Sequence, residues 1–146
     1  MDIIFEPFVG LGALKFGISK SEVESVQATM GITVYCDYQE EKLSSFTVYP
    51  SDLKNLFFCG KDILQMGKLT AALYFAKNSV NYGQAQGGSL YFMDLGCAIL
   101  QFESSAREFL FFAKGCDIDE PLRKITPLSI ESYYKDQSAD VGGESA

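Results

Sequence analysis

The spacing of the apolar residues changes at Gly31, and that change constrains the fold more than any other feature of the chain. Upstream, Val23, Val26 and Met30 recur at helical spacing. Downstream, ITVYCDY (32–38) is rich in β-branched and aromatic residues, the composition of a strand. The helix start is signalled in FGISKSE (16–22), with Ser19 as N-cap and Glu22 three residues later. In that capping box each residue satisfies an orphan backbone donor of the other. Ile18 and Val23 can close a hydrophobic staple beside it, and Gly31 ends the helix. A Gly turn followed by Ser-Lys-Ser-Glu could also cradle an anion, but reciprocal caps explain Ser19 and Glu22 better than catalytic roles do. Lys20 and Ser21 are then first-turn surface residues.

The helix code recurs. QEEKLSS reads as a polar connection, FTVYP (46–50) as a returning strand stopped by Pro50, and LKNLFFCG (53–60) as a short strand or turn. Asp62 then caps and Gln65 takes the box position, with Ile63, Met66, Leu69, Leu73 and Ala76 on one broad face. Gly67 weakens that helix by about 1 kcal/mol relative to Ala. NSVNYGQAQGGS (78–89) reads as a Gly-rich loop, and SLYFMDLGCAILQFE with REFLFFAKG as three strands. The run after Gly96 repeats the pattern after Gly31, strand, polar turn, aromatic strand. The expectation is an α+β fold of two helix-then-antiparallel-strand repeats, with helices packed on an antiparallel β-sheet. It forms a single domain over 1–135, with halves at roughly 10–57 and 58–115 and a flexible acidic tail at 136–146. In FLFF either Phe109 and Phe111 or Leu110 and Phe112 must point away from the core, toward a second layer, a partner or solvent.

Composition removes several classes of function. There is no histidine, so Ser-His-Asp and Cys-His nucleophile systems are impossible. No GxxxxGK[ST] occurs, and Gly10-Leu-Gly12 is followed by Lys15 where a dinucleotide loop needs its third glycine. The four cysteines (36, 59, 97, 116) contain no CxxC pair, so no zinc or iron–sulfur site is expected, and reduced thiols point to the cytoplasm. MDIIFEPF, with acids at 2 and 6 and no basic residue before Lys15, is not expected to act as a signal peptide, and the longest apolar stretch, 90–102, contains Asp94 and Gln101 and is too short to span a bilayer. The net charge of −7 opposes binding to nucleic acid or an anionic membrane and favours a basic partner. Residues 117–146 hold seven of the acids against three basic residues.

No catalytic, cofactor-binding or metal-ligating set emerges. Asp117, Asp119 and Glu120 form a D-x-D-E cluster able to offer oxygens to a hard cation, but Pro121 follows and no distal Glu is in place, so a solvated acidic turn is expected. Glu40 and Glu41 lie in the first hairpin connection, either keeping it in water or facing a partner. Tyr82, inside the Gly-rich loop, can be an exposed aromatic anchor or fold back onto the domain.

G-A-L-K-F-G-I-S-K-S-E-V (12–23) resembles the G-x-[IL]-[KR]-F-G-M-S-x-x-E-V opening of small bacterial immunity proteins encoded beside polymorphic and contact-dependent growth-inhibition toxins. The second half of that pattern is similar to Phe58-Cys-Gly60-Lys-Asp62-Ile63 and Asp94-Leu-Gly96-Cys-Ala-Ile, so the likeness spans about residues 10–115. The usual long segment between first helix and strands is nearly absent here, and the chain beyond 116 is unmatched. The resemblance implies a non-enzymatic immunity protein that neutralises a cognate toxin domain, and the acidic charge points to a basic target, a nuclease, whose active site it would block. The expected contacts are the acidic edge and loops, Asp37, Glu40, Glu41, Tyr82, Asp94, Glu103, Asp117, Asp119 and Glu120. The alternative is a small-molecule or peptide binding module that uses a sheet face or the 78–89 loop.

Overall fold

A computed structural model describes residues 2–102, 104, 106–116, 118 and 121–132. The expected tail at 136–146 lies outside the described residues. The chain opens with a small antiparallel sheet of β1 (Phe5–Glu6), β2 (Gly10–Leu11) and β3 (Leu14–Lys15), followed by helix α1 (Lys20–Met30). The hairpin of β4 (Tyr35–Gln39) and β5 (Lys42–Val48) comes next, then the two-stranded β6 (Phe57–Phe58) and β7 (Lys61–Asp62) and helix α2 (Lys68–Lys77). Strands β8 (Tyr82–Ala85), β9 (Leu90–Phe92), β10 (Cys97–Leu100) and β11 (Glu108–Phe112) form a meander, and β12 (Leu122–Lys124) precedes a helical stretch over 127–132. Among the described residues no helix is long and apolar enough to cross a membrane.

The main sheet has seven antiparallel strands in the order β12-β8-β9-β10-β11-β5-β4. The fold is therefore α+β with helices on an antiparallel sheet. The two aromatic strands lie side by side, with Phe111 opposite Phe46 and Phe109 opposite Val48. Hairpins β4–β5 and β10–β11 thus meet along their second strands. The chain divides unevenly between the helices, since two strands of the main sheet, β4 and β5, follow α1 and five, β8 to β12, follow α2.

Alternation along β11 gives the sheet two apolar faces. Phe109 and Phe111 turn toward the main core, where Phe111 meets Phe5 at 4.6 Å and Phe46 at 5.4 Å between ring centroids. Phe75 of α2 stacks on Phe58 at 4.8 Å and lies 5.4 Å from Phe92. Leu110 and Phe112 turn the other way, into a smaller cluster with Ala85, Tyr91 and Ala98 against which Cys116, Ile118 and Leu122 pack. Gly96 allows this layer to close. Its φ is +68°, and a Cβ there would stand 2.7 Å from the Phe112 carbonyl oxygen and 2.8 Å from the Phe8 ring.

The cap on α1 forms as expected. The Ser19 amide donates to Glu22 Oε1 at 3.1 Å and the Glu22 amide to Ser19 Oγ at 3.3 Å, while Gly31 ends the helix in the left-handed region. These bonds from Ser19, the backbone one foremost, lower the pKa of Glu22. Val23 is fully buried, and Ile18 packs against the core.

Three elements differ from the sequence reading. Asp62 caps only a 3-10 turn over Ile63–Gln65, and its Oδ1 accepts from both Leu64 N and Leu56 N. Met66 is extended, Gly67 becomes the N-cap, and the helix proper starts at Lys68. Strand β5 begins at Lys42, so the connection expected over 39–45 shrinks to two residues. Ser44 and Ser45 can lie buried in the strand because Asp37 accepts both hydroxyls, through its carbonyl and its carboxylate respectively. The Gly-rich segment 78–89 contains β8, which pairs with β9 and β12.

Candidate partner-binding surface

The β4–β5 hairpin forms one edge of the main sheet. Strand alternation turns Cys36 and Tyr38 toward the core and leaves Tyr35, Asp37 and Gln39 exposed on the opposite face. A register shift between Asp37 and Tyr38 marks an irregularity in the pairing of this edge. Gln39 pairs with Lys42, so Glu40 and Glu41 alone form the loop. Both have positive φ, 52° and 66°. A two-residue hairpin loop demands left-handed residues, and Asn-Gly meets that demand with least strain. Glutamate in the same conformation costs about 1 kcal/mol or more per residue. Two exposed carboxylates thus occupy the tip despite an unfavourable backbone. The one ion pair within 4 Å among the described residues is Lys15–Glu6, so no such pair engages Asp37, Glu40 or Glu41.

Aromatic surface lies next to these acids. Tyr35 is 58% exposed, the one aromatic among the exposed large apolar side chains of the described residues. It meets Tyr49 edge to face at 5.7 Å. The Glu108 carboxylate, as a nearby acceptor and negative charge, raises the Tyr49 pKa. Residues opposite one another across the strands carry this face inward, from Tyr35 through Thr47, Leu110 and Ala98 to Tyr91. At the inner end it joins the packed cluster around Phe112.

The other expected contact residues separate into two groups. Tyr82, read as a possible exposed anchor in a loop, is a half-buried strand residue whose ring lies 5.8 Å from Phe92, and burial raises its pKa. Asp94, read as an acidic contact, is committed internally. It accepts the Ser79 hydroxyl and the amides of Val80 (2.9 Å) and Asn81 (3.2 Å). Partial burial raises the pKa of its carboxyl, but these hydrogen bonds outweigh that effect and leave it lowered. Glu103, Asp117, Asp119 and Glu120 lie outside the described residues. Of the nine expected positions, Asp37, Glu40 and Glu41 are brought together on one exposed edge.

Tyr35, Tyr49 and Glu108 escaped the sequence reading because their association depends on β11 pairing with β5, a contact between distant parts of the chain. Beside the 78–89 segment lies a shallow cleft of about 420 Å³ bordered by Gln84–Gly88, Pro121 and Arg123. Gln84 Oε1 accepts from Arg123 Nη2 at 2.8 Å, so Arg123 is already engaged there. No protein-family model matches the chain, and no curated protein or solved structure matches it at a significant level.

Proposed function

We propose that this chain is an immunity protein that binds a basic toxin domain, a nuclease, in the cytoplasm and occludes its active site. The observation that carries the reading is the hairpin tip, where Glu40 and Glu41 both sit in left-handed conformations that favour Asn-Gly. Strain retained at an exposed acidic position is understandable if the carboxylates are used. Asp37 adds a third carboxylate on the same edge, and Tyr35 with Tyr49 supplies the aromatic surface that interfaces use as anchors. Acidic groups around an aromatic patch match a surface that grips phosphates, accelerating encounter through charge and slowing release through the rings. Net charge of −7 acts in the same direction. The resemblance at 12–23, 58–63 and 94–99 agrees with this reading, and within it hairpins β4–β5 and β10–β11 are counterparts of a repeated unit.

The test is co-expression with the toxin domain encoded next to this chain, scoring growth rescue and co-purification, followed by titration of the purified pair. Replacing Asp37, Glu40 and Glu41 by Lys together should weaken binding and flatten its dependence on salt. Unchanged affinity and salt dependence would remove the acidic edge from the interface, and failure of rescue and binding with the native chain would remove the immunity reading.

A further inference from the structure

Among the described residues no strand continues the main sheet beyond β4. Successive residues of a strand turn their amides and carbonyls to opposite edges. The Asp37 carbonyl accepts the Ser44 hydroxyl of β5, so Asp37 and, by alternation, Tyr35 bond inward. Cys36 and Tyr38 then turn their amides and carbonyls outward, away from β5. Val34 follows the same alternation, and its outward amide is met by Gln27 Oε1 from α1 at 3.1 Å. Among the described residues no backbone bond from outside the sheet meets the amides or carbonyls of Cys36 and Tyr38. Proteins usually blunt such an edge with lysine, proline or a bulge in the edge strand. YCDYQ (35–39) has neither lysine nor proline, and the extra residue at the register shift, Ser44, belongs to β5. Strand β4 therefore runs unbroken along the rim.

The charges along this rim are acids instead. Asp37 stands on one face, Glu40 and Glu41 lie at the end, and Lys42 is the one basic residue of the hairpin over 35–48. On the other face burial raises the pKa of the Tyr38 hydroxyl, with Cys36 and Glu24 of α1 near enough to add to the rise. We infer that an extended basic segment of the toxin domain docks on β4 as an eighth strand of the main sheet, hydrogen-bonded to the outward amides and carbonyls of Cys36 and Tyr38. In this mode main-chain bonds supply affinity and alternate side chains supply specificity. Lysines or arginines on one face of that segment reach Asp37 across the exposed ring of Tyr35, and those on the other face reach Glu24. A second copy of this chain fits poorly, since it brings the same acids and a net charge of −7 to the edge. The inference rests on the partner-binding reading and adds to it the backbone by which the partner is held.

The test is amide hydrogen exchange of the full chain, alone and in complex with the toxin domain encoded next to it. Alone, the Tyr35 and Asp37 amides are held by β5 and should exchange slowly, while those of Cys36 and Tyr38 exchange fast. In the complex the Cys36 and Tyr38 amides should slow about tenfold or more. C36P removes one outward amide without removing a bond to β5 and should weaken binding about tenfold, whereas C36A should bind as the native chain does. If C36P does not fold, exchange in the native chain decides alone. A complex in which Cys36 and Tyr38 exchange as before would overturn strand addition and leave the immunity reading standing. Absence of any complex would overturn both. Slowing that rises with the concentration of this chain alone would assign the edge to a second copy and overturn the basic segment, as would equal binding by C36P and C36A.

Discussion

Asp94, in the turn between β9 and β10, accepts the hydroxyl of Ser79 and so ties the end of α2 to the meander that follows. The same carboxylate accepts the amides of Val80 and Asn81, the second of which also reaches the Ser79 hydroxyl oxygen at 3.4 Å. D94A should lower stability by about 1–3 kcal/mol, the cost of leaving several donors unmatched at a partly exposed site. The sign of the pH effect follows from the lowered pKa. The contribution is present above the unfolded-state pKa of the carboxyl and is lost as pH falls through the folded-state value. Chemical denaturation of both proteins from neutral to acid pH should show their stabilities converging at low pH.

The hairpin tip predicts an exchange of affinity for stability. E40N/E41G gives the loop the residues its backbone favours and should raise stability by about 1 kcal/mol or more. Under the proposed function it should also weaken toxin binding. Thermal melts and titration of the same preparation measure both, and a stabilised variant with undiminished affinity would contradict a binding role for the tip.

Gly67 offers a gain without that cost. Its φ of −65° and ψ of 165° suit an aspartate N-cap, so G67D should stabilise α2 by about 0.3–1 kcal/mol through its carboxylate at the helix start. Thermal melts of G67D and the native chain measure the gain directly.

The thiols should report burial. Cys59 is exposed, whereas Cys97 is buried and its pKa is pushed well above the ordinary thiol value by desolvation. In the native protein a thiol-labelling reagent should modify Cys59 first and leave Cys97 untouched until denaturant is added. Mass spectrometry of labelled peptides over time reads the order directly.

Features legible in the sequence were those whose physics is local. Ser19 and Glu22 sit three residues apart and cap each other wherever the helix packs, so their spacing was sufficient. The strand character of 97–100 and 108–112 rested likewise on nearby residue types. Gly67 was visible as a weak point, but its role as the start of α2 depends on Asp62 being held by Leu56 and Leu64. Tyr82 read as a loop residue because its polar, Gly-rich neighbours hide a strand that exists only by pairing with β9 and β12. At the candidate surface, Asp37, Glu40 and Glu41 were found through charge and turn position. The tyrosine pair was not, since the strand order brings those residues together.

The contact between Phe5 and Phe111 has a consequence for how the chain is made. Phe5 precedes α1, yet the ring it packs against is synthesised after α1, α2 and nearly the whole meander. The central strands β5 and β11 are separated in the same way. The core therefore cannot close until β11 has been made, and the aromatics of the earlier strands wait without their partners until then. A protein assembled in this order depends on release of its late strands for its early residues to find their places.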